Sequence, residues 1–346
     1  MYSLHDVEVV GLGLGKILEC EIESRIGEHS TLSLHALVDD EEFLYGMPDC
    51  GEIEVVLRDG DTTESLFSGI VTAVSMKEDG RVKTARIEGK SRSWLLDREK
   101  HSRSFQDRSM GYRALVEEVL SGYKGQYDEG SLLYVPADRE IGAPIVQYEE
   151  TDWAFLERVL SWEGIALTPD SRGEGKGIFA GVPCIESGDV PFRVVGAEKD
   201  MGSYYALKAC GRSVHSAEFT KYRIASGHLL GIFARVEIEG CPYSVYSYRY
   251  SFAGHEMEGL YGLQSPEGLT VAPSYPMQLI GAAMAGKITE VSGTKVRAAL
   301  KIDGGHTERA VHWFPYSTMS ASPDGSGWYC MPEIGDSVMV YFTYNH

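Results

Sequence analysis

A chain of 346 residues exceeds the usual single-domain size, so roughly two to four compact units are expected, each burying its own core. Its 51 acidic against 32 basic side chains leave a formal charge of -19, which opposes tight association with phosphate backbones or anionic lipid unless a basic patch is segregated, and no such patch is visible. Six cysteines (Cys20, Cys50, Cys184, Cys210, Cys241, Cys330) lie far apart without a CxxC pair, which argues against a zinc site or a dense disulfide framework and reads as reduced, semi-buried thiols.

The N-terminus, MYSLHDVEVV, lacks a basic segment followed by an apolar one, and no window approaches ~18 uninterrupted apolar residues. The expectation is a soluble protein made in the cytoplasm without a cleavable signal and without stable membrane insertion. The first hundred residues then alternate with period two. Leu18, Cys20 and Ile22 oppose Glu19, Glu21 and Glu23, and Ile53, Val55 and Leu57 oppose Glu52, Glu54 and Arg58, the pattern of strands buried on one face. Turn residues at Gly46 to Pro48, Asp59 to Asp61 and Asp79 to Gly80 suit a small barrel or sandwich. FSGIVTAVSM (Phe67 to Met76) and the run from Val82 to Glu88 continue it.

From Ser109 the period changes. Tyr112, Leu115, Val116, Val119 and Leu120 follow helical spacing, and Gly122 closes the run. A second helix is expected inside QYEETDWAFLERVLSWEGIAL (Gln147 to Leu167). Thr151 serves as N-cap, Asp152 suits the positive end of the helix dipole, and Gly164 provides the exit. Phe155, Leu156, Val159 and Leu160 form one apolar stripe, widened by Trp153 and Trp162. Glu157, Arg158 and Ser161 are expected on a solvated back. The two helices, with short strands between them, suggest an α/β segment from about Phe105 to Pro183.

SRGEGKG (Ser171 to Gly177) reads as an exposed turn. Strands resume at ARVEIEG (Ala234 to Gly240), followed by a Cys241–Pro242 turn and YSVYSYRYSF with alternating Tyr. Prolines and glycines between Ser265 and Pro276 read as a linker. A last block has strands at Gly286 to Val291, Lys295 to Ile302 and Ser337 to Phe342, and the chain halts at His346 directly after a strand, as if its final strand were missing.

Candidate chemistry is thin. GLGLGK (Gly11 to Lys16) lacks the full GxGxxG spacing, a Ser or Thr after Lys16, and a following helix, so a phosphate loop is not expected. His255 and Glu256 begin like a zincin, but Gly259 stands where the second His belongs. His306 and His312 have no third ligand nearby. No GxSxG elbow exists, and the acids at Asp39 to Glu42 and at Glu149 and Glu150 read as solvated strand ends and turns. No catalytic, cofactor-binding or metal-ligating residue is therefore nominated, and no cofactor is expected.

Four segments, in order, resemble the tail hub and spike proteins of contractile injection machines, namely the phage late control D family and the VgrG proteins of type VI secretion. FSGIVTAVS resembles the family's first-barrel strand. SRSWLLDREKHSRSFQDRS (Ser91 to Ser109) resembles its passage into an inserted domain, with Arg103, Phe105 and Gln106 as the matching core. In QYEETDWAFLERVLSWEGIAL, Asp152, Phe155, Arg158, Glu163 and Gly164 take the places of the family's Asp, Phe, Arg and closing Glu-Gly. AGKITEVSG, KVRAALKID and MPEIGDSVMVYF resemble the OB-like collar domain that follows the hub.

The resemblance implies a mainly β fold with an α/β insertion, two hub β-barrels and a C-terminal OB-like barrel. Its segments would be residues 1–104 (first hub barrel), 105–189 (insertion), 190–264 (second hub barrel), 265–279 (linker) and 280–346 (OB-like collar). It further implies a homotrimer whose six barrels match a hexameric tail tube, a non-enzymatic structural role, and assembly into a virion tail or injection particle. The implied partners are the tail tube protein, a spike or tip protein and baseplate wedge proteins, with no sequence-specific nucleic-acid recognition. A threefold object offers six quasi-equivalent docking sites only if each subunit contains two similar surfaces, and the sequence does hold two β units of comparable size. Two other classes stand beside this reading: a tail-associated peptidoglycan hydrolase using an acid pair, and an oligosaccharide-binding module in which the OB-like end uses Trp313, Trp328 and Tyr329.

Overall fold

The structure, a computed structural model, describes residues 2–39, 42–45, 51–60, 62–123, 125–127, 130–135, 139–253, 256–317 and 330–342. In chain order its elements are β1 (Val7–Val10), β2 (Ile17–Arg25), β3 (Thr31–Leu37), α1 (Glu42–Tyr45), β4 (Glu52–Asp59), β5 (Thr62–Asp79), β6 (Val82–Ser91), β7 (Lys100–Phe105), α2 (Tyr112–Leu120), β8 (Leu132–Tyr134), β9 (Ile145–Thr151) and α3 (Asp152–Ser161). Then follow β10 (Leu167–Asp170), β11 (Gly177–Ala180), β12 (Arg193–Lys199), α4 (Met201–Ala209), β13 (Thr220–Ser226), β14 (Arg235–Ile238), β15 (Cys241–Ala253), β16 (Met257–Gln264), β17 (Ala283–Ser292), β18 (Lys295–Leu300), β19 (Phe314–Pro315) and β20 (Ser337–Tyr341). The protein is mainly β, as the period-two pattern requires. It divides into two compact units: Met1–Leu96, Leu120–Pro136 and Val159–Pro273 in one, and Asp97–Val119, Ala137–Arg158 and Ser274–His346 in the other.

The first unit is built on an 11-stranded sheet in the order β1-β4-β5-β6-β3-β2-β15-β16-β13-β12, with β14 also pairing with β15. The alternating strands turn their apolar sets inward as expected: Cys20, Ile22, Ile53, Val55 and Leu57 are all buried. They share one core with Phe67, Tyr250, Phe252 and Tyr261. Burying each such side chain contributes ~1.5–3 kcal/mol, provided its polar atoms are satisfied. They are: the Tyr250 hydroxyl donates to the Leu230 carbonyl at 2.8 Å, and that of Tyr261 to the His228 carbonyl.

A repeat runs through this sheet. The path β2-β3-β6-β5-β4 and the path β12-β13-β16-β15-β14 are the same succession of antiparallel pairings, five strands each. Bulges mark both copies. The opening strand is bulged between Ile17 and Glu19 in one and between Val194 and Gly196 in the other. The strand facing the last one is bulged between Val71 and Ala73, and between Val245 and Ser247. Each bulge adds a local bend and twist, so these two bends recur in both halves, while a further register shift, between Val55 and Val56 of β4, occurs in the first half alone among the described pairings.

Two turn expectations fail here. The β14–β15 hairpin turns at Glu239 and Gly240, both with positive φ (52° and 77°), and Cys241 already pairs with Ile238, so Cys241–Pro242 lies in the strand and not in the turn. A two-residue loop with both centres left-handed matches strand twist, which is why Gly and not Pro closes it. The segment 171–177 is not an exposed turn either. The Ser68 amide donates to the Ser171 carbonyl at 2.7 Å, the Ser65 hydroxyl to the Gly173 carbonyl at 3.1 Å, and Arg172 pairs with Glu64, so the loop lies against β5. The predicted turn at Gly46 to Pro48 lies outside the described residues.

In the second unit β7 pairs with β9, and a four-stranded antiparallel sheet runs β19-β18-β17-β20, of which β17, β18 and β20 fall on the three stretches predicted for the C-terminal block and β19 was not predicted. Val146 of β9 packs with Leu279, Met284 and Leu300. Helix α2 buries Tyr112, Leu115, Val116, Val119 and Leu120, as its spacing predicts. Helix α3 starts where predicted, with the Ala154 amide donating to the Thr151 hydroxyl at 3.2 Å, and its apolar stripe is fully buried. The solvated back fails for two of its three residues: Arg158 and Ser161 are each 4% exposed, Arg158 because its guanidinium turns onto Glu150 and the Val146 carbonyl, while Glu157 is half-buried.

Candidate functional site

Six of the residues that carry the family resemblance, Arg103, Phe105, Gln106, Asp152, Phe155 and Arg158, gather in the second unit around a buried polar lock. Asp152, the first residue of α3, accepts from Arg103 Nη2 at 2.5 Å and from Gln147 Nε2 at 2.8 Å, and Arg103 Nε reaches Gln147 Oε1 at 2.8 Å. Alternation along β7 and β9 places Arg103 and Gln147 opposite each other in register, which is why they meet. One residue along, the Ser104 amide and hydroxyl both donate to Asp303, at 2.6 and 2.7 Å. Gln106 Nε2 donates to the Ala298 carbonyl on β18 at 3.2 Å. The Phe105 ring stacks on Phe155 at 5.3 Å, with the guanidinium groups of Arg103 and Arg309 each 5.6 Å from its centroid. Arg309 in turn donates to Glu118 on α2 at 2.6 Å.

Arg158 completes the lock by reaching Glu150 through Nε and Nη2 and the Val146 carbonyl through Nη2. In a low-dielectric interior such charges persist only when paired and hydrogen-bonded, and here they are. Chemically the arrangement holds elements together; each acid in it is committed to a cation or to backbone and side-chain donors. Gly164, the exit residue, has φ +77° and lies in the first unit, where its carbonyl accepts from Thr270 Oγ1 at 3.0 Å and the Val271 amide at 3.1 Å. Glu163 is half-buried. The sequence did not single out Ser104, Gln147 or Asp303. The available signal was Asp303 ahead of Gly304 and Gly305, an acid at a strand end poised to receive backbone donors.

The weaker candidates fall apart in space or into ordinary roles. The Gly11 to Lys16 stretch links β1 to β2, with the Gly15 amide donating to the Leu37 carbonyl. Of the acid pair, Glu150 is engaged by Arg158 while Glu149 is exposed with φ 48°. His306 pairs with Glu308 at 2.7 Å, and His312 packs edge-on to Phe314, its pKa lowered by burial. Trp313 lies under the Arg297 guanidinium at 4.6 Å. His255, Trp328, Tyr329, Asp40 and Glu41 lie outside the described residues. Among the described residues no group of three His, Cys, Asp or Glu side chains could hold a metal ion, and no helix is long and apolar enough to cross a membrane.

The other constructed feature is the joint between the two β repeats of the first unit. Residues Glu19 to Arg25 of β2 run antiparallel to Ser247 to Ala253 of β15, from Ser247 opposite Arg25 to Ala253 opposite Glu19. Arg249 and Glu23 face each other across this joint as an ion pair.

Comparison with known proteins places these features. Residues 26–185 match the family model described as phage tail baseplate hub (GPD). No curated protein matches the chain. Among solved structures, the E. coli c3393 protein, described as a type VI secretion system component with structural similarity to T4 bacteriophage tail proteins gp27 and gp5, aligns with a TM-score of 0.60 at 14% identity over 86% of this chain and 89% of that one. A tail protein from Neisseria meningitidis MC58 aligns at 0.53 and 12% over 78% and 98%, and the Francisella PdpA-VgrG complex at 0.54 and 10% over 93% and 71%. Residues 26–185 therefore carry a phage tail baseplate hub domain, within a chain that has the fold of the tail hub and VgrG-like proteins.

Proposed function

We propose that the protein is the structural, non-enzymatic hub of a contractile tail or injection machine, a homotrimeric adaptor between a hexameric tail tube and a central spike. The observation that carries the reading is the five-strand repeat: one chain with two copies of the same strand succession and the same two bulges gives a trimer six similar β modules. The baseplate hub domain at residues 26–185 supports it. Within it, residues 1–104 and 190–264 serve as the paired hub modules, 105–189 as the insertion, 265–279 as the linker and 280–346 as the OB-like collar facing the spike. The partners are the tail tube protein, a spike or tip protein and baseplate wedge proteins, and the site of action is the assembled particle.

Electron images of intact particles, labelled with an antibody against this chain, test the assignment. Label confined to one end of the tube supports the hub. Label along the tube, or none on purified particles, contradicts it.

A further inference from the structure

The first unit has a trough on its outer face where the second repeat meets β2. Strand registers align one row across five strands: Gly196 of β12, Arg223 of β13, Gly262 of β16, Ser247 of β15 and Arg25 of β2. Arg223, Arg249 and Leu260 are exposed while their chain neighbours Ile224, Tyr250 and Tyr261 are buried, so this row faces away from the core. Gly262 and Ser247 form its low middle, with an arginine on either side. A Cβ on Gly262 would stand 2.7 Å from the Tyr246 ring, so the bare backbone is what lets the ring settle there. Tyr246 is the bulged residue of β15, and the Arg25 guanidinium and Lys221 Nζ lie over its ring at 5.8 and 5.5 Å. Two residues back along β16, the next row holds Ala225, Leu260, Arg249 and Glu23. Leu260 is 38% exposed, and Val195, the bulged residue of β12, 47%. Arg223, Tyr246, Leu260 and Val195 line a pocket of about 430 Å3.

The cations around the pocket are unequally committed. Lys221 holds Asp200 at 2.8 Å, Arg249 pairs with Glu23, and Arg25 stands 3.6 Å from Glu28. Arg223 pairs with no carboxylate among the described residues. Its guanidinium lies beside Gly196, 3.4 Å from where a Cβ would stand. In a chain of net charge -19, this exposed arginine next to an exposed leucine is a local reversal of sign that attracts an anion. Its planar fork matches a carboxylate or a phosphate. Glu23 and Glu28 also line the pocket, and their charges oppose a dianion more than a single carboxylate. We infer that the pocket binds an extended segment of a partner protein in which one carboxylate stands two residues from an apolar side chain, the carboxylate on Arg223 and the apolar group on Leu260 and Val195. The spacing comes from the sheet. Rows two residues apart along a strand are about 6.6–6.8 Å apart, the same distance that separates side chains i and i+2 on one side of an extended peptide. The fork of Arg223 fixes the position of the segment, and Leu260 and Val195 supply the area removed from water. The inference does not depend on the trimeric reading.

Ligand-observed NMR on the full chain, with the peptide acetyl-Glu-Gly-Leu-amide as probe, tests this. The peptide should bind saturably, and acetyl-Gln-Gly-Leu-amide and acetyl-Glu-Gly-Gly-amide should each bind about tenfold or more weakly. Arg223→Glu should lose the Glu peptide and accept acetyl-Lys-Gly-Leu-amide in its place, a gain that a misfolded variant would not show. Leu260→Ser should weaken the Glu peptide while leaving its preference over the Gln peptide intact. Equal binding of the Glu and Gln peptides, unchanged binding by Arg223→Glu, or no saturable binding at millimolar peptide overturns the inference. Displacement of the peptide by an equal concentration of inorganic phosphate would mark a phosphate site and overturns it too.

Discussion

Arg158 and Glu150 form a two-pronged ion pair, Nε to Oε1 at 2.9 Å and Nη2 to Oε2 at 2.8 Å, with the side chains only 4% and 11% exposed. Removing the cation leaves a carboxylate and the Val146 carbonyl without their donors in a largely dry site. Arg158→Met should cost about 3–5 kcal/mol of stability in urea denaturation, and Arg158→Met with Glu150→Met should recover part of it. A loss under ~1 kcal/mol would mean the pair behaves as a surface one.

Gly173 and Gly175 separate backbone strain from steric clash in the loop that lies on β5. Both have positive φ, +60° and +64°, but a Cβ at Gly173 meets nothing within 4 Å whereas one at Gly175 would sit 2.6 Å from the Ser68 carbonyl oxygen. Gly173→Ala should cost about 1 kcal/mol and Gly175→Ala at least about 2 kcal/mol more, as the loop is pushed off the strand. Equal losses in thermal melts would show that the loop does not dock there.

Asp200 caps α4 and is held well below the ordinary carboxylate range, first by the hydrogen bond from Lys221 Nζ at 2.8 Å and then by the Ser203 amide and hydroxyl. A lowered folded-state pKa contributes stability that is present above the unfolded value, near 3.8, and is lost as pH falls further. Asp200→Asn keeps a capping oxygen and removes the charge. Its stability deficit should therefore be constant near neutrality and shrink below about pH 4. A deficit that does not change with acid would contradict the assignment.

The Cys20 thiol is buried, and burial pushes its pKa up to about 12. Since the thiolate is the reactive form, iodoacetamide should label the exposed Cys184, Cys210, Cys241 and Cys330 in the native protein and reach Cys20 only with unfolding. Peptide mass mapping of labelled native protein would show the contrary as early modification at Cys20.

Strand and helix positions were legible where a period repeats: the Cys20–Ile22 and Ile53–Leu57 alternations, the Tyr112–Leu120 stripe and the Thr151 cap all appear in the structure. Arg158 and Ser161 were misread because helical periodicity assigns a single inner face and cannot register the pull of specific partners, such as Glu150 and the Val146 carbonyl on the Arg158 guanidinium. The loop at 171–177 was misread because its Gly-rich composition reports backbone freedom, while its docking depends on Ser65 and Ser68 a hundred residues away. The internal repeat was invisible for a different reason. Equivalent positions such as Ile17 and Val194, or Cys20 and Ala197, share backbone geometry and bulges but answer to different surroundings, so pairing preserves what side-chain identity does not. The polar lock was half legible, since Arg103, Gln106, Asp152 and Arg158 stood out by resemblance while their partners Gln147 and Asp303 emerge only from the strand register.

The mass of the full chain in solution, measured by light scattering across a concentration series, tests the hub account most directly. A stable species of three times the 38.1 kDa chain, whose electron images show six similar lobes around a ring, is the predicted result. A monomer at every concentration, or a ring whose lobes do not number six, would contradict it.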